Sequence, residues 1–137
     1  RGCVLADFPA SAVDALLAVA GPQVASPLAI VEVRLLGGRL RSPQRVPNAV
    51  VGRDGAFSVL AIGVPAGPLG EQVGQHLAAV TDAVAAHSCG ALLNFSGRTA
   101  TQRDALWSTD QRTRLETIRR RHDPAGVLRP GDPTIVG

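Results

Sequence analysis

The sequence predicts an α+β fold, a mostly antiparallel sheet packed against helices. Three observations predict it. Residues 28–36 and 56–64 are strand-length runs of aliphatic and β-branched side chains. Leu69, Val73, Leu77, Val80 and Val84 recur at steps of four and three, the stripe of an amphipathic helix. Extended and helical segments alternate along the chain, joined by short connections.

Each element has its own signal. Residues 2–8 read as a short strand or extended entry. Pro9 opens a helix over residues 10–20, with Val13, Leu16, Leu17 and Ala20 turned inward, and Gly21-Pro22 closes it. In 28–36, Val31, Val33 and Leu35 point one way while Ile30, Glu32 and Arg34 point the other; Gly37-Gly38 then breaks the strand. Residues 39–55, rich in Pro, Gly and Arg, read as an edge segment that becomes a loop, with a turn at Asp54-Gly55. Segment 56–64 is apolar on both faces and so belongs in the interior of the sheet. One long helix is expected over 69–87, and a strand over 90–95 that delivers Asn94 at its exit. Two short helices close the chain, at 101–107 and 109–121. Ser108 and Gln111 have capping-box spacing for the second of these. Its last turn carries Arg119, Arg120, Arg121 and His122, cations suited to the negative end of a helix, and Pro124 stops it.

Composition narrows the function classes. A chain of 137 residues with 45% hydrophobic and 18% charged residues is one domain with a real core, not a disordered segment. No apolar run reaches the roughly 18 residues of a membrane span, and no secretory signal is visible. No membrane partner and a cytoplasmic location are therefore expected. Methionine is absent and the first residue is Arg1, which reads as a fragment of a larger protein. All fourteen basic residues are arginine, giving a net charge of +3. They are scattered among acids, and aromatics make up 3% of the chain, too few for stacking on bases; nucleic acid is not the expected partner. Cys3 and Cys89 lack C-x-x-C spacing and read as small apolar residues. No H-x-x-x-H, H-E-x-x-H or cysteine cluster offers a metal site.

Two places could carry chemistry. Glu32 and Arg34 lie two residues apart on one strand face. They suit a base beside an anion-binding cation, or else a same-face ion pair on a solvated sheet. Asn94 offers an amide at a strand end, for a ligand or for its own backbone.

The tail gives these candidates a context. Leu92-Leu93-Asn94-Phe95, Trp107-Ser108, Arg114-Leu115, the run Arg119 to Arg121, His122-Asp123-Pro124 and Val127-Leu128-Arg129 follow one another in order. This order resembles the C-terminal segment of FAD-linked oxidases of the berberine-bridge-enzyme type, in the vanillyl-alcohol-oxidase superfamily. Their ending reads roughly Tyr-x-Asn-Phe, an aromatic-Gly pair, Arg-Leu, a basic run, Tyr-Asp-Pro and Val-Phe-Arg. Upstream, Ser26-Pro27-Leu28 leading into Val31 to Gly38 is similar to the strand and double glycine of the bacterial members' substrate domain.

The resemblance implies an FAD-dependent oxidoreductase that oxidises a small organic substrate by hydride transfer to flavin. Residues 1–137 would be its C-terminal substrate domain, with 91–130 as the berberine-bridge-like segment. The FAD would be held mainly by the protein's own N-terminal FAD-binding domain, which these residues do not include. Asn94 would lie against the cofactor, Glu32 would be the catalytic base or orienter, and Arg34 would bind substrate. The chain departs from the pattern in three places. Leu92 replaces the motif tyrosine, Leu35 stands where many bacterial relatives have histidine, and Ser108 replaces glycine. The alternative reading is a non-catalytic α+β module for ligand binding or dimerisation.

Overall fold

A computed structural model of the chain describes residues 1–40, 45–46, 48–95 and 106–127. Within them lie β1 (Gly2–Leu5), α1 (Ala10–Ala20), β2 (Leu28–Leu35), β3 (Phe57–Gly63), α2 (Val73–Ala83), β4 (Ser88–Gly90) and α3 (Thr109–His122). The four strands make one sheet in the order β2-β3-β1-β4, every neighbouring pair antiparallel. A β-α-β-β-α-β chain with this strand order is the ferredoxin-like, split βαβ arrangement. The α+β class read from the sequence is the one observed.

One sheet face is covered by α1 and α2. Its core joins Leu5, Val59 and Ala61 from the strands with Leu16, Val80 and Val84 from the helical side. Register explains the set: Cys3 and Val33 flank Val59, Val31 faces Ala61, and Leu5 and Leu35 flank Phe57. β3 occupies an interior position, as its two apolar faces require. An irregularity between Leu28 and Ile30 shifts side-chain parity, so Leu28 packs on the core beside Val31 instead of joining Ile30 and Glu32.

Helix α1 has the predicted bounds and a different inner face. Ala12 and Leu16 are buried, Val19 and Ala20 pack on the core, and Leu17 is 52% exposed. The helix is apolar nearly all the way round, so its periodicity does not single out a face.

The helix expected over 69–87 is shorter. 3₁₀ turns at Gly70–Gln72 and Ala85–His87 flank α2, and Leu69 is exposed. Val73, Val80 and Val84 are buried as the stripe requires.

The strand expected over 90–95 lies earlier. β4 ends at Gly90, whose φ of 150° is open to glycine and strained for other residues. The chain leaves the sheet there, and Leu93–Phe95 form a 3₁₀ turn. Asn94 therefore sits in a turn, not at a strand exit. Most of the helix expected over 101–107 lies outside the described residues.

Helix α3 has the predicted start. The Ser108 hydroxyl accepts from the Gln111 N–H at 3.3 Å, and the Gln111 side-chain oxygen accepts from the Ser108 N–H at 3.0 Å. At the other end the buried Asp123 donates its N–H to Arg119 O at 2.7 Å. Its carboxylate accepts from the Val127 N–H at 2.8 Å.

Candidate functional site

The second sheet face carries the residues of opposite parity: Gly2 and Val4 of β1, Ser58, Leu60 and Ile62 of β3, and Ile30, Glu32 and Arg34 of β2. Over β1 this face is roofed. Val4 is fully buried although it lies away from the helices. A Cβ on Gly55 would fall 1.9 Å from Val4 Cγ1, and one on Gly52, at φ 79°, would lie 3.0 Å from both Val4 Cγ2 and Leu92 Cδ2. A Cβ on Gly2 would approach Phe95 O at 3.1 Å. Glycine at these positions lets two segments, around 50–55 and 92–95, lie directly on the strand. Over β2 and β3 the face stays open, with Ile30 and Ile62 exposed at 48% and 41%.

A hollow of about 430 Å³ lies between the two roofing segments, lined by residues 49–51, 92–95 and Trp107. That volume is in the range of small-molecule sites. The Trp107 indole N–H donates to Ala49 O at 2.9 Å, which fastens the entry of α3 to the loop before β3. Asn94 contributes the polar group of the lining, exposed and without a hydrogen bond to any described residue. Its amide is not used up by its own backbone.

Glu32 and Arg34 lie on the same sheet face as this roof but outside the hollow. Glu32 pairs with Leu60, Leu60 with Gly2, and Phe95 rests against Gly2. Two strand spacings of roughly 4.8 Å therefore separate the Glu32 backbone from the strand beneath Phe95. The two side chains engage each other, Arg34 Nη2 to Glu32 Oε1 at 2.8 Å, with 61% and 40% of their side chains exposed. Such a solvated pair adds about 0–1 kcal/mol to stability. Asn94 and Trp107 are thus brought together, and the charged pair stands apart from them across β3.

The sequence did not reveal the part played by 49–51, and Trp107 entered only as the aromatic of the tail pattern. The apolar run Ala49-Val50-Val51 inside a polar loop was the available signal.

The donor set fits one portion of a flavin. Among the described residues, an aromatic wall, aliphatic lining and the Asn94 amide suit a planar, largely apolar ring with polar edges. Among the described residues of the lining there is no cationic side chain, so none of them offers a diphosphate a partner.

Other chemistry is sparse. Among the described residues no group of three or more His, Cys, Asp or Glu side chains could hold a metal. His87 is paired through Nδ1 with Asp7 at 2.5 Å. Cys3 and Cys89 are not disulfide-bonded. Burial pushes both thiols up, Cys3 further through the nearby Cys89 and Cys89 through Asp54. Among the described residues, no helix is long and apolar enough to cross a membrane. No protein-family model and no curated protein matches this chain.

Proposed function

We propose that the chain is the C-terminal, substrate-side part of a cytoplasmic FAD-dependent oxidoreductase acting on a small organic substrate. One observation carries this reading. The Asn94 amide, inside the motif that resembles the flavin-facing segment of berberine-bridge-type oxidases, has no hydrogen bond to a described residue and lies at an apolar hollow walled by Trp107. Bound FAD would supply the electron acceptor, and an N-terminal domain of the same protein would hold its diphosphate.

The chain's own residues then have definable tasks. Asn94 hydrogen-bonds the polar edge of the ring. Trp107 and Leu92 exclude water from it. Arg34 binds an anionic group of the substrate on the open face. An anion that takes over Arg34 frees the Glu32 carboxylate from its 2.8 Å partner, leaving it able to accept a proton.

The test is flavin uptake by the intact protein. Reconstitution with FAD should give a flavin absorbance band, and Asn94→Ala should shift that band and weaken flavin retention. An intact protein that stays colourless with FAD overturns the proposal and leaves the non-catalytic ligand-binding module as the reading.

A further inference from the structure

Among the described residues β2 is an edge strand. β3 pairs along its length on one side, and no described strand pairs on the other. The direction of its backbone follows from the ladder. Ala61 exchanges both hydrogen bonds with Arg1, at 2.7 and 2.8 Å, so Phe57, Val59 and Ala61 turn their peptide groups toward β1. Ser58, Leu60 and Ile62 then turn theirs toward β2, where they meet Arg34, Glu32 and Ile30. Consistently, the Leu36 N–H donates to Ala56 O at 2.7 Å. The N–H and C=O groups of Val31, Val33 and Leu35 are the ones that face outward.

The side chains along this edge are self-complementary. An antiparallel second copy of β2, related by a two-fold axis at Val33, sets Glu32 opposite Arg34 of the second copy and Arg34 opposite its Glu32. On the same axis Val33 meets Val33, and Val31 meets Leu35. One seam face is then a cluster of four alternating charges. The other is apolar, built on Val33 and Leu35, which are 37% and 69% exposed in the single chain. Moving the register by two residues in either direction sets Glu32 against Glu32 or Arg34 against Arg34, and directly opposed like charges destabilise a sheet. Charges that guard an edge against pairing work by repelling a copy of themselves. This oppositely charged pair does the reverse.

We infer that the β2 edge is a homodimer interface in which two copies join their sheets through antiparallel β2–β2 pairing centred on Val33. The occupant is a second copy of this chain because the charge pattern is complementary to itself. The inference does not need the flavin reading: Glu32 and Arg34 figure in both, but self-association is read separately from flavin uptake.

A charge-swap series read by sedimentation equilibrium of the full chain tests it. The unmodified chain should show a concentration-dependent monomer–dimer equilibrium. Glu32→Arg alone, or Arg34→Glu alone, sets like charges opposite and should weaken the dimer about tenfold or more. The double variant Glu32→Arg/Arg34→Glu restores opposite charges at both positions and should return to within about threefold of the unmodified chain. Val33→Pro removes an outward N–H while leaving the β3 ladder untouched, and should abolish the dimer. Far-UV circular dichroism checks that each variant is folded; if Val33→Pro is not, the charge series still decides. A chain that is monomeric at every concentration, whether or not another segment of the intact protein covers the edge, overturns the inference. So does a dimer indifferent to the single reversals, or a double variant as weak as they are.

Discussion

The Trp107 indole N–H and the Ala49 carbonyl, 58 residues apart in sequence, meet at 2.9 Å and close one wall of the hollow. This is the contact that ties the segment before α3 to the loop before β3. Because Trp107 is the chain's single tryptophan, its fluorescence reports on this wall directly.

Trp107→Phe keeps an aromatic ring, though a smaller one, and loses the hydrogen bond. It should cost about 1 kcal/mol in urea unfolding followed by circular dichroism. Trp107→Ala also removes the aromatic wall of a half-buried site and should cost more, about 2–3 kcal/mol. Equal, negligible losses for both would mean that the wall is not held by this residue.

Adjacent leucines of α1 should respond very differently. Leu16 is 7% exposed and Leu17 is 52% exposed. Leu16→Ala should cost about 2–5 kcal/mol, as for a core leucine, and Leu17→Ala about 1 kcal/mol or less. Urea midpoints of the two variants check this, and a reversal of their order would put the helix's inner face on the wrong side.

Glu116 on α3 accepts from Arg119 through both oxygens at 2.8 Å and from Arg120 at 2.8 Å. The Arg119 hydrogen bonds first, and then that from Arg120, lower its carboxyl from 4.5 to about 2. A depressed folded-state value gives a contribution that is present above pH 4.5 and is lost as pH falls toward about 2. An NMR titration of the side-chain carboxyl should show the low midpoint, and Arg119→Ala should move it back up. A midpoint near the ordinary glutamate value would show that the fork is not maintained in solution.

Strands β2 and β3 were legible because alternation and β-branching mark a strand locally, and two apolar faces mark an interior one. Helix α3 was legible through its cap, a purely local device at Ser108 and Gln111. β4 was not. The apolar run Ala91-Leu92-Leu93 outweighs Ser88-Cys89-Gly90 in any local reading, yet the strand is the latter, and Gly90 ends it instead of beginning it. Tertiary contact with Val4 and Gly52 draws Leu92 onto the roof, and no periodicity encodes that.

The candidate site divides in the same way. That Glu32 and Arg34 share a face follows from the period of two in a strand. That residues 49–51, Asn94 and Trp107 enclose one space depends on glycines at 2, 52 and 55 that let loops lie on β1, and on a contact spanning 58 residues. Local pattern carries information over a few residues, and this geometry is assembled from distant ones.

The interior position of β1 has a kinetic consequence. Arg1, at the entry of β1, exchanges hydrogen bonds with Ala61, 60 residues away, and the Val4 carbonyl of β1 meets Cys89, 85 residues away. Neither neighbour has been made when β1 leaves the ribosome, so Val4 and Leu5 must wait for β3 and β4 before they are covered. Such long-separation pairing slows folding, well behind the microsecond formation of α1. Among the four strands, the one that waits longest for cover during synthesis is one that ends up inside the sheet.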